Sequence, residues 1–219
     1  MKISGFKETI EWYDHNAQQY AEASKDLVSH DQLAAFVELL AEDSRILDAG
    51  CGSGRDTALL SSKGLNTIGL DLSSGLIAEA RKRFPDQEFI AGSFLALPFN
   101  DESFDGVWAH ASLVHLETET DVKQALTEFK RVLKTGGILH VLVKAQTAAD
   151  KTAVVSDKLS GHDRFFQYFT LDEVSSLLQE HNFEVIQSEQ YNEAERDPNG
   201  RPEVEWIAVL SKKTLVAAR

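Results

Sequence analysis

Between Ile46 and Asp71 the chain follows an order that few folds can satisfy. An apolar run ends in Asp48, glycines stand at Gly50, Gly52 and Gly54, a helical pattern begins, and a second apolar run, Thr67-Ile-Gly-Leu, ends in Asp71. The order reads strand, tight turn, helix, strand. Glycines at such a turn let the backbone bend sharply and approach a ligand, and a helix beginning there offers N–H groups without helical partners. A carboxylate about 20 residues beyond the first glycine, at the end of the next strand, stands where nucleotide-binding α/β folds hold a ribose diol. The pattern implies a nucleoside before it implies a reaction.

Two ligands compete for it. The dinucleotide fingerprint Gly-x-Gly-x-x-Gly needs its third glycine at position 55, where this chain has Arg55, and the glycine comes one residue early at Gly54. The spacing Asp-x-Gly-x-Gly-x-Gly resembles the first motif of class I S-adenosylmethionine (SAM) dependent methyltransferases. Glycine pairs also occur in strand-to-helix turns for structural reasons, so the placement of Asp71 carries much of the distinction. The resemblance extends along the chain. Phe104-Asp-Gly-Val-Trp-Ala109 resembles that family's fourth strand, Phe129 to Leu139 its helix, glycine turn and fifth strand, and Trp206-Ile-Ala-Val-Leu210 its final strand. Trp108 to Leu116, with Gly54-Arg-Asp56 and Asp163-Arg-Phe-Phe166, is similar to a branch of small bacterial methyltransferases.

Periodicity predicts helices over 8–23 and 30–41, then strands near 45–49, 66–71, 87–91, 104–109 and 136–144 with helices near 54–63, 74–84 and 120–133 between them. The tail reads as a helix over 171–180 and strands near 183–189 and 203–211, joined by the turn-rich stretch Glu195 to Pro202. Such alternation means a parallel sheet covered on both faces. The resemblance makes this an α/β, Rossmann-like, seven-stranded and mostly parallel sheet with helices on both faces and an antiparallel last strand. At 219 residues and 42% hydrophobic, the chain suits a single domain, 1–219, in which 1–42 would form an N-terminal helical lid.

The charge balance, 35 acidic against 22 basic residues for a net −13, argues against nucleic acid or an anionic membrane as partner. The cluster Arg81-Lys-Arg83 falls near a predicted helix end, where it complements the helix dipole. No run of about 18 apolar residues is present to span a bilayer, and the N-terminus lacks the apolar core of a signal peptide, so a cytoplasmic location is expected. The single cysteine, Cys51, makes no internal disulfide. No paired Cys, His or carboxylate spacing implies a metal.

Ligands of open α/β sheets lie beyond the carboxyl ends of the strands. By resemblance that selects Asp48, Gly50, Cys51, Gly52 and Gly54 from the first strand and turn, Asp71 and Leu72 from the second strand, Gly92, Ser93 and Phe94 from the third, and His110 from the fourth, all around SAM or its product S-adenosylhomocysteine (SAH). Many relatives have an aspartate at the position of Ser93, accepting from the adenine amine; Phe94 either flanks the adenine or packs in the core. Trp12-Tyr-Asp-His-Asn-Ala-Gln-Gln-Tyr20 resembles the aromatic lid of such enzymes, with Tyr20 the cofactor contact and Trp12 the packing residue. His110 and His115 stand where an acceptor enters and are the candidate bases, although His115 also suits a packing role. Arg164 and Arg201 suit a carboxylate or phosphate on the acceptor, or else pair with neighbours such as Asp163 and Glu203. The expected activity is methyl transfer to a small molecule. The alternatives are a SAM- or SAH-binding protein without transferase activity and a nicotinamide-dependent oxidoreductase. The oligomeric state is not written in the sequence.

Overall fold

The computed structural model describes residues 5–27, 29–156, 163–196 and 200–215. Strands β1 (Arg45–Ala49), β2 (Asn66–Asp71), β3 (Glu88–Ala91), β4 (Phe104–His110), β5 (Leu133–Lys144), β8 (Phe183–Asn192) and β9 (Glu205–Lys213) form one sheet in the order β3-β2-β1-β4-β5-β9-β8. β9 runs antiparallel to both of its neighbours, and the central pairs are parallel, as expected. The strand order reverses beside β1, so the carboxyl ends of β1, β2 and β4 open onto one crevice.

Helices α3 (His30–Glu38), α4 (Arg55–Ser61), α5 (Ser74–Arg83), α6 (Glu119–Val132) and α7 (Leu171–Glu180) accompany the sheet. On one face Leu47, Val107, Leu139, Val141 and Val209 pack with Val122, Leu126 and Phe129 of α6 and Val174 and Leu178 of α7. On the other, Phe36 of α3 and Leu60 of α4 meet Ile46, Trp108, Ile138 and Leu210. Each fully buried side chain of this size contributes about 1.5–3 kcal/mol. The helix ends are set locally. Thr170 and Glu173 form a reciprocal capping box on α7, and the Ser73 hydroxyl caps α5 by accepting the Leu76 N–H.

Three elements depart from the sequence expectation. The helix expected over 8–23 is two, α1 (Gly5–His15) and α2 (Ala17–Ala23), because Asn16 turns its side-chain amide onto Trp12 O at 2.9 Å and leaves helical geometry. Strands β6 (Thr152–Ser156) and β7 (Asp163–Gln167) form a separate antiparallel ribbon where no element was expected; two strands of five residues each give too short an alternation to be read alone. The connection before β9 begins with the short helix α8 (Glu193–Arg196), while Asp197, Pro198 and Asn199 of the expected turn lie outside the described residues, as does His162. Among the described residues no helix is long and apolar enough to cross a membrane.

Candidate functional site

The glycine turn follows β1. Gly50, Gly52 and Gly54 all have positive φ, at 86°, 56° and 85°. The three serve different ends. A Cβ on Gly50 would lie 2.3 Å from Ser112 Cβ, and one on Gly54 would lie 2.5 Å from the Phe89 ring, so these two glycines are required by packing. A Cβ on Gly52 would point into open space with Tyr20 as its nearest neighbour at 4.0 Å. Gly52 keeps a cradle empty. Within the turn the N–H groups of Gly50 and Cys51 donate to Leu70 O, that of Gly54 to Cys51 O, and that of Gly52 to Asp71 Oδ2 at 2.9 Å.

Asp71 closes β2. Its second oxygen accepts the Ser73 N–H at 2.9 Å, so two backbone donors fix the carboxylate while leaving lone pairs on each oxygen. Burial raises its pKa against these two donations. Leu72, 38% exposed, stands at the lip beside it. Cys51 turns its thiol into a small cluster with Ile77, Ala80 and Phe89, and burial pushes its pKa up, which makes it a poor nucleophile.

A cavity of about 640 Å³ runs from this turn to the far side of the sheet. It is lined by Tyr20, Asp48, Gly50, Cys51, Gly52, Asp71, Leu72, Ser93, Phe94, His110, His115, Arg164 and Arg201, which brings most of the expected residues together. Gly54 and Gly92 line no part of it, a correction to their expected contact, since both are held by packing, Gly92 against Leu70. The Ser93 hydroxyl accepts the Leu95 N–H at 3.1 Å, and Phe94 packs 6.0 Å from the Phe129 ring while also lining the cavity.

Register sets a row of side chains that meets the cavity at Asp48. Asp48, Trp108, His140 and Leu210 are neighbours across β1, β4, β5 and β9, so their side chains form one row. Trp108 and His140 stack at 3.8 Å, and the Trp108 indole N–H donates to Asp56 at 3.1 Å. Arg55 donates to Asp56 at 2.7 Å and to Ser24 O at 2.9 Å. Burial works to raise the Asp56 pKa, but the Arg55 charge and these N–H groups hold it below the usual carboxylate range. Asp48 goes the other way: burial, then the Asp56 charge, lift it well above that range against the hydroxyl that Thr57 donates at 2.6 Å.

The two histidines differ. His110 has Nδ1 3.1 Å from His140 Nε2 and Nε2 3.1 Å from Ser29 Oγ, and burial pushes its pKa down to about 4. With so low a basicity, it is ill suited to take a proton, which corrects the expectation placed on it. His115 donates Nδ1–H to Phe165 O at 2.9 Å, which leaves the Nε2 lone pair facing the Tyr13 hydroxyl at 3.4 Å. Arg164 in turn donates to the Tyr13 oxygen. Burial raises the Tyr13 pKa, so its O–H remains a donor toward His115. Tyr13 and Tyr20 meet edge to face at 4.9 Å, while Trp12 packs beside them and does not line the cavity.

Arg164 is buried, and Arg201 forks onto Glu193, not Glu203, with both contacts at 3.1 Å. Sequence reasoning missed Tyr13, Ser29, Arg55, Asp56, Lys144 and Trp206 as cavity residues. Lys144 had a signal, being a cation at the end of an otherwise apolar strand. Among the described residues no group of three or more His, Cys, Asp or Glu side chains gathers as metal ligands do.

Comparison with known proteins adds the following. A family model described as a methyltransferase domain matches residues 47–141. A demethylmenaquinone methyltransferase of Renibacterium salmoninarum is 34% identical over 140 residues, 61% of this chain and 57% of the relative, so this chain spans a little over half of that protein. A protein of Encephalitozoon cuniculi named as a methyltransferase is 32% identical over 151 residues, 68% of each chain. A tRNA (carboxymethyluridine(34)-5-O)-methyltransferase of Arabidopsis thaliana is 38% identical over 119 residues, 54% of this chain and 28% of the relative. Among solved structures, a 1,6-didemethyltoxoflavin-N1-methyltransferase of Burkholderia thailandensis, with 1,6-didemethyltoxoflavin and SAH bound, matches with a TM-score of 0.73 at 19% identity, over 98% of this chain and 92% of that one.

Proposed function

Since this chain belongs to the SAM-dependent methyltransferases, we propose that it methylates a small molecule held in the same cavity as the cofactor. One observation carries the acceptor reading: a single cavity of about 640 Å³ joins Gly52, Asp71 and Leu72 at one end to Tyr13, His115 and Arg164 at the other. That is within the volume range of small-ligand sites, and here it has to hold two partners. Family membership decides against the nicotinamide alternative. A proton-accepting histidine facing the cavity speaks against a protein that only binds.

The residues fit the cofactor: the Gly52 cradle admits a chain, Asp71 is fixed with free lone pairs for a diol, and Leu72 and Phe94 supply apolar faces for a base. When bound, SAM supplies a methyl group already activated by the positive charge on sulfur. The protein then has to align an acceptor and exclude water. Residues 1–42 serve this purpose as a lid within one domain spanning 1–219. α1 is tied down by Asp14, which accepts from Ser73 Oγ and Gly75 N, both at 2.8 Å, and by the Phe6 N–H donating to Glu117 at 2.8 Å. His115 acts as the base for an acceptor carrying a proton. Its tautomer is set by Phe165 O, and Tyr13 marks the direction from which that proton arrives. His110 holds the floor through Ser29 and His140.

The cytoplasm is the compartment we assign, and nucleic acid is not a partner in this reading, on the net charge of −13. The test is transfer of a labelled methyl group from SAM to a small-molecule panel and, in parallel, to total tRNA. Labelled small molecules with unlabelled tRNA support the proposal. Labelled tRNA alone overturns it.

A further inference from the structure

We propose that Arg55 is a positioning residue: it ties the end of α2 to the sheet and so holds Tyr20 over the cofactor in the Gly52 cradle. The inference rests on the reading of the cavity as a SAM site and adds what keeps that site closed. Arg55 stands where the dinucleotide fingerprint has its third glycine, a residue that could make no such tie. Its side chain is 24% exposed and lines the cavity, and its two donations go to different elements. Nη1 donates to Ser24 O, the carbonyl at the end of α2, at 2.9 Å, and Nε donates to Asp56 of α4 at 2.7 Å. A cation suits that helix end, where carbonyls lack helical partners. Asp56 also accepts the Trp108 indole N–H at 3.1 Å, and Trp108 is 1% exposed on the central strand β4. The contacts from α2 to the sheet are therefore continuous. The Arg55 charge is compensated by Asp56, so the guanidinium holds a neighbour and is not offered to an anion.

The tie reaches the cradle through one turn of helix. Ser24 N and Oγ both donate to Tyr20 O, at 2.9 Å and 2.8 Å, so fixing Ser24 fixes Tyr20. The Tyr20 ring is the nearest side chain to the open position above Gly52, at 4.0 Å, and it meets Tyr13 edge to face. α2 has little else to hold it. Seven residues are too few for a stable helix alone, and those that it buries are the small Ala17 and Ala21. A second tie, Glu22 to Arg83 at 3.3 Å, lies at the surface with Glu22 62% exposed, where an ion pair contributes little. Asp14 anchors α1 and leaves α2 to its own contacts. Ser24 is 5% exposed, so water screens the Arg55 bond far less than the Glu22 pair.

The experiment measures SAH release and the mobility of α2 in the full chain. Arg55→Met is combined with Asp56→Asn, which avoids a buried carboxylate without its partner and keeps an acceptor for the Trp108 N–H. In that variant SAH should dissociate roughly 10- to 100-fold faster, as loss of a charged hydrogen bond implies, with association not slowed. Without ligand, the amides of residues 17–24 should exchange faster by about 10-fold or more, while those of β1 and β4 keep wild-type protection. Because Arg55 acts through Tyr20, the same change made in a Tyr20→Ala background should release SAH no faster than Tyr20→Ala alone. The proposal is overturned if release stays at the wild-type rate, if the α2 amides exchange as in the wild type, or if the loss of protection spreads to β1 and β4. It is also overturned if the Arg55 and Tyr20 effects add, since Arg55 would then touch the cofactor itself. Arg55→Lys keeps the charge beside Asp56 with one nitrogen for two acceptors, so it should show the same pattern to a smaller extent, and it carries the test should the double variant not fold. Failure of the wild type to bind SAH would instead undo the reading of the cavity as a SAM site, a result seen before any variant is compared.

Discussion

Replacing Asp71 should damage the cofactor site and the turn together. Its carboxylate accepts from Gly52 N and Ser73 N, both at 2.9 Å, so Asp71→Ala removes two contacts that shape the turn. Hydrogen bonds to a charged group are each worth about 1.5–3 kcal/mol, and exposure of the cavity brings the stability loss to the lower end, roughly 2–4 kcal/mol for the two. In a chain of this size that lowers Tm by about 4–16 °C. Asn is no safer than Ala here. An amide presents one acceptor and one donor, so its NH₂ must face one of the two N–H groups. Losing the contact to the ribose diol should weaken SAH binding by a further factor of roughly 10–100. Calorimetric titration with SAH, on samples shown to be folded by thermal unfolding, measures both effects. If either variant is folded and binds SAH as the wild type does, Asp71 does not hold the nucleoside. If Tm is unchanged in both, the carboxylate does not pin the turn.

Three further outcomes follow from the site. Gly52→Val places a branched side chain in the empty cradle at a φ of 56°, which should cost about 1–3 kcal/mol of stability and reduce SAH affinity by more than about 100-fold; wild-type titration curves would show that the cradle is not the ligand's path. Once an acceptor is known, His115→Ala should lower turnover by about 100- to 10,000-fold with little change in Tm. His110→Ala should instead lower Tm, leaving His140 without its 3.1 Å partner, and equal turnover losses in the two variants would contradict the division of roles. Asp48 has a folded pKa raised above its ordinary value of 3.8, so folding favours its protonated form, and its contribution to stability falls as pH rises from near 4 toward the raised value. Asp48→Asn keeps an acceptor for Thr57 and removes that penalty, so the difference in Tm should move in favour of the variant between pH 5 and about 8; a difference independent of pH would show that Asp48 is not raised.

The nucleoside side of the site was legible because its chemistry is local in sequence. Asp48, three glycines and Asp71 lie within one strand-turn-helix-strand unit, and each residue type has one physical reason to stand there. What the spacing did not show is division of labour among the glycines, since that depends on Ser112 and Phe89, which arrive from other strands and loops. Both histidines expected near the acceptor line the cavity, but their surroundings were not legible. His110 loses its basicity to burial and to the charge of Arg55, 55 residues away in sequence, and His115 gains its orientation from Phe165, 50 residues away. The ribbon of β6 and β7 was missed because its strands are too short to carry a period, and with it went the burial of Arg164.

The cavity is assembled from stretches of chain that meet only after folding. Residues between Asp48 and Phe94 line its nucleoside side, while the walls around Lys144 and Arg164 come from α1 and from Phe166 and Trp206. The ribbon and the first helix touch each other through Thr9 and Phe165, so a change in one bears on the other without passing through the segment from Asp48 to Phe94.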